Sequence, residues 1–234
     1  MPKKINVKGP IIPSNHQYYY DWWEMEATSP KKVSDLLDKA DGEDLEVEIN
    51  SGGGSVTAAS EIYTSLKSYK GKVTVRIVGL AASAASVIAM AGDKVIMSPT
   101  GQIMIHNSTT WADGDYRDME HTAEVLKMVN KTISNAYKIK TGKTQEELLA
   151  LMDNETWMSA EKAKELGFID EIMFEDENLW VANFDDSGML PPEVINKMRN
   201  ELEEQKNKAN KELELAKAKL ALEIEASYFN YEEE

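Results

Sequence analysis

Apolar and polar positions follow two periods over the first 170 residues, and the periods exchange at short intervals. Ile5-Asn6-Val7-Lys8-Gly9 alternates and stops at Gly9-Pro10, which predicts a first strand. Ser29 then reads as an N-cap with Pro30 at the first helical position, and Val33, Leu36, Leu37 and Ala40 follow at helical spacing. Leu45-Glu46-Val47-Glu48-Ile49 alternates again and runs into Asn50-Ser51-Gly52-Gly53-Gly54. From Val56 to about Lys67 the period is helical, with Ala59, Ile62, Tyr63 and Leu66 on one face. Val73, Val75 and Ile77 mark another strand, and the small-residue run after Gly79 predicts a buried helix.

Val95 to Met97 and Ile103 to Ile105 predict two short strands. A long helix is expected from about Tyr116 to Lys140. Thr144 with Glu147 forms a capping box, and Ser159 to Gly167 fits a short capped helix. Strands exchanging with helices in this way imply an α/β fold with mainly parallel strands.

The pattern changes beyond residue 170. Residues 171–234 hold 17 acidic and 7 basic side chains, net −10, leaving −5 for residues 1–170. Asp185-Asp186-Ser187-Gly188 and Pro191-Pro192 read as linker. Glu193 to Ala226 favours helix, with Ile195, Met198, Leu202, Leu213, Leu220 and Ile224 on an interrupted stripe. That stripe fits a solvated helix as well as a coiled coil. The expected domains are 1–174, an acidic linker 175–192 and a charged helical tail 193–234.

A net charge of −15 argues against a nucleic-acid partner. The 14-residue apolar stretch Val78 to Ala91 is too short to span a bilayer, and Met1-Pro2-Lys3-Lys4 lacks the apolar run of a signal peptide, so no membrane association is expected. The chain has no cysteine, which removes thiolate metal sites and a thiol nucleophile.

Two strand ends offer chemistry. At Gly52-Gly53-Gly54 the backbone can turn sharply and aim N–H groups at an anion, as a phosphate loop or an oxyanion hole, though a tight turn alone also explains it. No lysine follows as in a P-loop. At Gly79-Leu80-Ala81-Ala82-Ser83-Ala84-Ala85-Ser86 a serine enters a helix among residues no larger than alanine, open to a carbonyl or simply capping a tightly packed helix. A serine nucleophile needs a base, and the histidines are His16, His106 and His121. His121 falls in the charged helix and His16 in the aromatic stretch Tyr18-Tyr19-Tyr20-Asp21-Trp22-Trp23. His106 ends a short apolar strand, where site residues gather.

Ile49-Asn50-Ser51-Gly52-Gly53-Gly54, Gly79-Leu80-Ala81-Ala82-Ser83-Ala84, Ile103-Met104-Ile105-His106 and Trp157-Met158-Ser159-Ala160-Glu161 stand in the order seen in Clp-type serine peptidases. The chain resembles a ClpP-like peptidase subunit over roughly residues 4–174, most closely the phage-encoded head maturation type. The resemblance implies a ClpP/crotonase-like layered fold of repeated β-β-α units, with a C-terminal helical extension. It implies Ser83 as nucleophile, His106 as base and the backbone N–H groups of Gly54 and Ala84 as oxyanion hole, with no metal or organic cofactor. The family's aspartate position is Glu155 here, with Asp153 as second choice, and Gly52 stands where the family has proline.

The implied activity is a serine endopeptidase working through an acyl-enzyme on polypeptide, here a capsid or scaffold protein. The implied setting is the host cytoplasm or an assembling prohead. The helix from Tyr116 resembles the segment that pairs rings, so a homo-oligomeric ring is expected. Only four residues precede the first strand, where the family carries a segment contacting an ATP-dependent unfoldase, so engagement of an unfoldase is not expected. Three other readings are weighed against these. A crotonase-like acyl-CoA enzyme would not need Ser83 and His106 together. A Ser–Lys peptidase would need a catalytic lysine. A degenerate protease domain could serve as a capsid assembly protein. Ser86 is the alternative nucleophile.

Overall fold

In the computed structural model, residues 2–175, 196–204, 206–211, 213 and 217 are described. The chain divides into one compact unit, residues 1–177, and a second, residues 178–234.

Five strands of the first unit form a parallel path in the order β1 (Lys3–Lys8), β2 (Leu45–Ser51), β3 (Val73–Ala82), β4 (Lys94–Met97) and β7 (Glu171–Ile172). Alternation decides the faces. Val47, Ile49, Val75 and Ile77 are fully buried on one side of the sheet. The intervening residues form ion pairs on the other side, Lys4 to Glu48 at 2.6 Å and Arg76 to Glu46 at 3.2 Å. The buried face packs under α2 (Pro30–Ala40), α3 (Val56–Lys67) and α4 (Ala84–Ala89), whose apolar positions Val33, Leu37, Ile62, Leu66 and Ile88 join the same core.

The caps predicted for α2, for the helix after Thr144 and for the helix after Ser159 are present, and α3 has one as well. The Ser29 hydroxyl accepts from Lys32 N–H, Ser55 from Ala58 N–H and Ser159 from Lys162 N–H at the start of α7 (Ala160–Glu165). Thr144 and Glu147 cap each other's backbone at α6 (Gln145–Asp153). The long helix α5 (Tyr116–Thr141) ends on Gly142 in the left-handed conformation, φ 72°. Its N-terminal capping box, Asp115 with Asp118, escaped the sequence pattern. So did α1 (Gln17–Trp22), whose side chains contribute nothing to the core.

One expectation is corrected. Gly79 to Ala82 do not begin a helix but continue β3, and α4 starts only at Ala84. The first half of β3 pairs with β4, whereas Leu80, Ala81 and Ala82 pair in parallel with β5 (Gln102–Ile105). Those ladder hydrogen bonds, and Asn50 Oδ1 accepting from Leu80 N–H at 3.1 Å, outweigh the helical preference of alanine. β5 in turn pairs antiparallel with β6 (Thr156–Met158), with Ile105 opposite Thr156. The sheet thus forks at Gly79, and the fork carries both strand ends that the sequence singles out.

In the second unit the described residues between 196 and 217 are helical. Met198, Leu202 and Leu213 are exposed there. The expected linker lies outside the described residues, apart from Glu175 at its start.

Candidate active site

Ser83 is the hinge between β3 and α4, at φ 54° and ψ −125°. A non-glycine residue with positive φ is strained, and the surroundings must hold it. Ser83 N–H donates to Met104 C=O at 2.8 Å, which fixes the serine against β5. Its carbonyl accepts from Ser86 N–H at 3.0 Å and from Ser86 Oγ at 2.6 Å. Although Ser83 occupies the N-cap position of α4, its side chain makes no capping hydrogen bond. The hydroxyl turns instead to His106, with Oγ to Nε2 at 2.7 Å.

His106 follows the last residue of β5 and is half-buried. The pairing of Ala82 with Met104 sets the two strand ends side by side. His106 Nδ1 has no hydrogen-bond partner among the described residues, so the ring is held at one nitrogen only. His16 and His121 are exposed and do not contact Ser83.

Neither candidate acid touches the imidazole in this arrangement. Asp153 Oδ1 accepts from Asn107 Nδ2 at 2.8 Å. Glu155, at φ 46°, is exposed and accepts from Trp157 Nε1 at 3.3 Å. The strand register separates the two. The ladder ends with Ile105 opposite Thr156, so Glu155 and His106 are the residues just beyond its last pair, whereas Asp153 is two residues further off.

The glycine loop ends beside the serine. Gly53 and Gly54 have φ of 100° and 146°. Ile11 stitches the loop by donating N–H to Gly53 C=O and accepting from Ser55 N–H, both at 2.8 Å. A Cβ on Gly54 would lie 2.2 Å from Ile11 O, whereas Gly52 has open space around it. The N–H groups of Gly54 and Ala84 reach no acceptor among the described residues. A small, largely enclosed pocket of about 10 Å³, lined by Val56, Ala59, Val87, Ile133 and Tyr137, lies next to Ser83 and His106.

Ser86, the alternative nucleophile, is fully buried. Its single proton goes to Ser83 C=O, so in the 2.8 Å contact with Tyr137 the phenol donates. Burial pushes the Tyr137 hydroxyl up to about 12, which keeps it a donor. This relay from α5 to the carbonyl of Ser83 had no sequence signal, because its partners lie 51 residues apart. Among the described residues no group of three or more His, Asp or Glu side chains could hold a metal ion, and no helix is long and apolar enough to cross a membrane.

A model of the Clp protease family matches residues 27–176. The chain is 36% identical over 140 residues to an ATP-dependent Clp protease proteolytic subunit of Bacteroides fragilis, covering 58% of this chain and 68% of that one. It is 33% identical over 162 residues to an ATP-dependent Clp protease proteolytic subunit 1 of Chlamydia abortus, covering 67% and 78%. The corresponding subunit of Chlorella vulgaris is 32% identical over 141 residues, covering 59% and 69%.

Proposed function

Since the chain belongs to the Clp protease family of serine-type peptidases, we propose that it cleaves polypeptides with Ser83 as nucleophile and His106 as general base. The observation that carries this reading is the 2.7 Å contact between Ser83 Oγ and His106 Nε2, made by a hydroxyl that forgoes its capping bond. For Nε2 to take the serine proton, the ring proton must reside on Nδ1. Oγ then attacks the peptide carbonyl and its proton passes to Nε2. The carbonyl oxygen gains negative charge between the N–H groups of Gly54 and Ala84. Collapse expels the amine, which takes the proton from Nε2 and leaves an ester on Ser83. Water, deprotonated by the same nitrogen, hydrolyses that ester.

Glu155 completes the set by turning from Trp157 to accept the Nδ1 proton, and its place just beyond the last pair of the ladder favours it over Asp153. Self-association is supported by the exposed Tyr116, Met119 and Met128 on the first half of α5, in a ring of identical subunits. We read the substrate as a capsid or scaffold protein in an assembling prohead, from the motif resemblance to head maturation peptidases.

A fluorophosphonate probe tests the chemistry. The wild type is expected to label and Ser83→Ala to remain unlabelled while folded. Absence of labelling in the wild type overturns the peptidase reading, and persistent labelling in Ser83→Ala overturns the nucleophile.

A further inference from the structure

His106 stands where the chain leaves the sheet. Ile105 is the last paired residue of β5, and residues 106–113 form no helix or strand. The imidazole itself is tied only through Nε2 to the serine it must deprotonate. Its orientation therefore depends on what grips the backbone just beyond it. Asp153 holds the Asn107 side chain, and the backbone is gripped by Asn130, whose Oδ1 accepts two hydrogen bonds from Ser108, one from the backbone N–H at 2.8 Å and one from the hydroxyl at 2.7 Å.

Asn130 is suited to the task by its place on α5. It is the first buried residue along the helix and only 9% exposed. A polar group so placed is retained at a cost unless its bonds are made, and both accepted bonds go to one residue of the 106–113 segment. Ser108 lines the same pocket as Ser83 and His106. The geometry points to Asn130 as a positioning residue for His106. It acts through Ser108 and touches neither the substrate nor the reacting atoms. This rests on the peptidase reading given above.

The chemistry of the acceptor makes the test specific. Both bonds end on Oδ1, and the amide nitrogen takes part in neither. Asn130→Asp keeps an acceptor of the same shape, whereas Asn130→Leu removes it at similar volume. Steady-state cleavage of a small peptide by the full chain is the measurement, with fluorophosphonate labelling alongside. Asn130→Leu is expected to lower kcat by about tenfold or more with KM within about twofold, since misplacing a catalytic group by about an ångström is enough. Asn130→Asp is expected to recover most of that loss. Ser134→Ala, which alters another buried polar residue of α5 that bonds away from Ser108, controls for damage to the helix itself.

A folded Asn130→Leu with wild-type kcat overturns the inference, as does an Asn130→Asp no better than Asn130→Leu. If Asn130→Leu fails to fold, Ser108→Ala decides. It deletes one of the two bonds, so an about threefold or greater loss in kcat at unchanged KM supports the role and wild-type kcat refutes it. Failure of the underlying reading looks different, because then the wild type itself neither labels nor cleaves.

Discussion

Gly53 lies so close against Ser83 that a Cβ on it would stand 2.8 Å from the serine Cβ and 2.9 Å from Ala84 N. The loop before α3 and the hinge before α4 are therefore in direct contact, and only the smallest residue fits between them. Gly53→Ala would meet backbone on two sides at a φ of 100°. We expect fluorophosphonate labelling to fall by at least about tenfold and stability to drop by roughly 1–3 kcal/mol. Labelling at the wild-type rate would show that the hinge tolerates displacement.

Glu155 and Asp153 make opposite predictions. Glu155→Gln should lower kcat by about 100-fold or more, since a neutral amide stabilises neither the Nδ1–H tautomer nor the imidazolium. Asp153→Asn should stay within about threefold, because an amide oxygen still accepts from Asn107. Peptide-cleavage kinetics of the two variants decide between them, and the reverse order would reassign the acid.

Ser86→Ala separates the two serines of the motif. It removes a bond to Ser83 C=O and leaves the Tyr137 hydroxyl unpaired in the core. The expected loss is about 1–3 kcal/mol of stability in urea unfolding. Labelling of Ser83 should survive, and its disappearance in a folded Ser86→Ala would move the nucleophile.

Tyr137 adds an alkaline limit to stability. Its folded value, about 12, lies above the unfolded value of 10.0. Below pH 10 the phenol is protonated in both states and the buried hydroxyl is kept without penalty. Between pH 10 and 12 only the unfolded chain loses the proton, so stability falls as pH rises, at up to roughly 1.4 kcal/mol per pH unit from this group. Unfolding followed from pH 9 to 12 should show a shallower decline in Tyr137→Phe than in the wild type. Equal slopes would mean that Tyr137 does not set this limit.

The tail carries its own test. Deleting residues 175–234 should spare cleavage of a small peptide and reduce cleavage of a native protein target. Loss of both would mean that the tail supports the peptidase unit.

Much of this organisation is legible from local pattern. Helix α3 spans Val56–Lys67 as its periodicity predicts. The extension of β3 through Ala82 was not legible, because it rests on β5, some 20 residues further on. β6 and β7, with three residues and two, are too short to show a period. Ser83 stands out in the sequence because small residues surround it, and His106 because it is the one histidine that ends a short apolar strand. Asn130 and Tyr137 do not, since each acts on a residue far along the chain from a helix that otherwise reads as a solvated rod.

The fork in the sheet also ties the serine hinge to a strand made later in the chain. Ser83, the proposed nucleophile, precedes His106, its proposed base, by 23 residues. The hinge that exposes it is held by Met104 and by the pairing of Leu80–Ala82 with Gln102–Met104. A nascent or half-assembled chain thus has its serine but not the bend that arms it. The bend at Ser83 is therefore completed only once β5 has been made and paired with the end of β3.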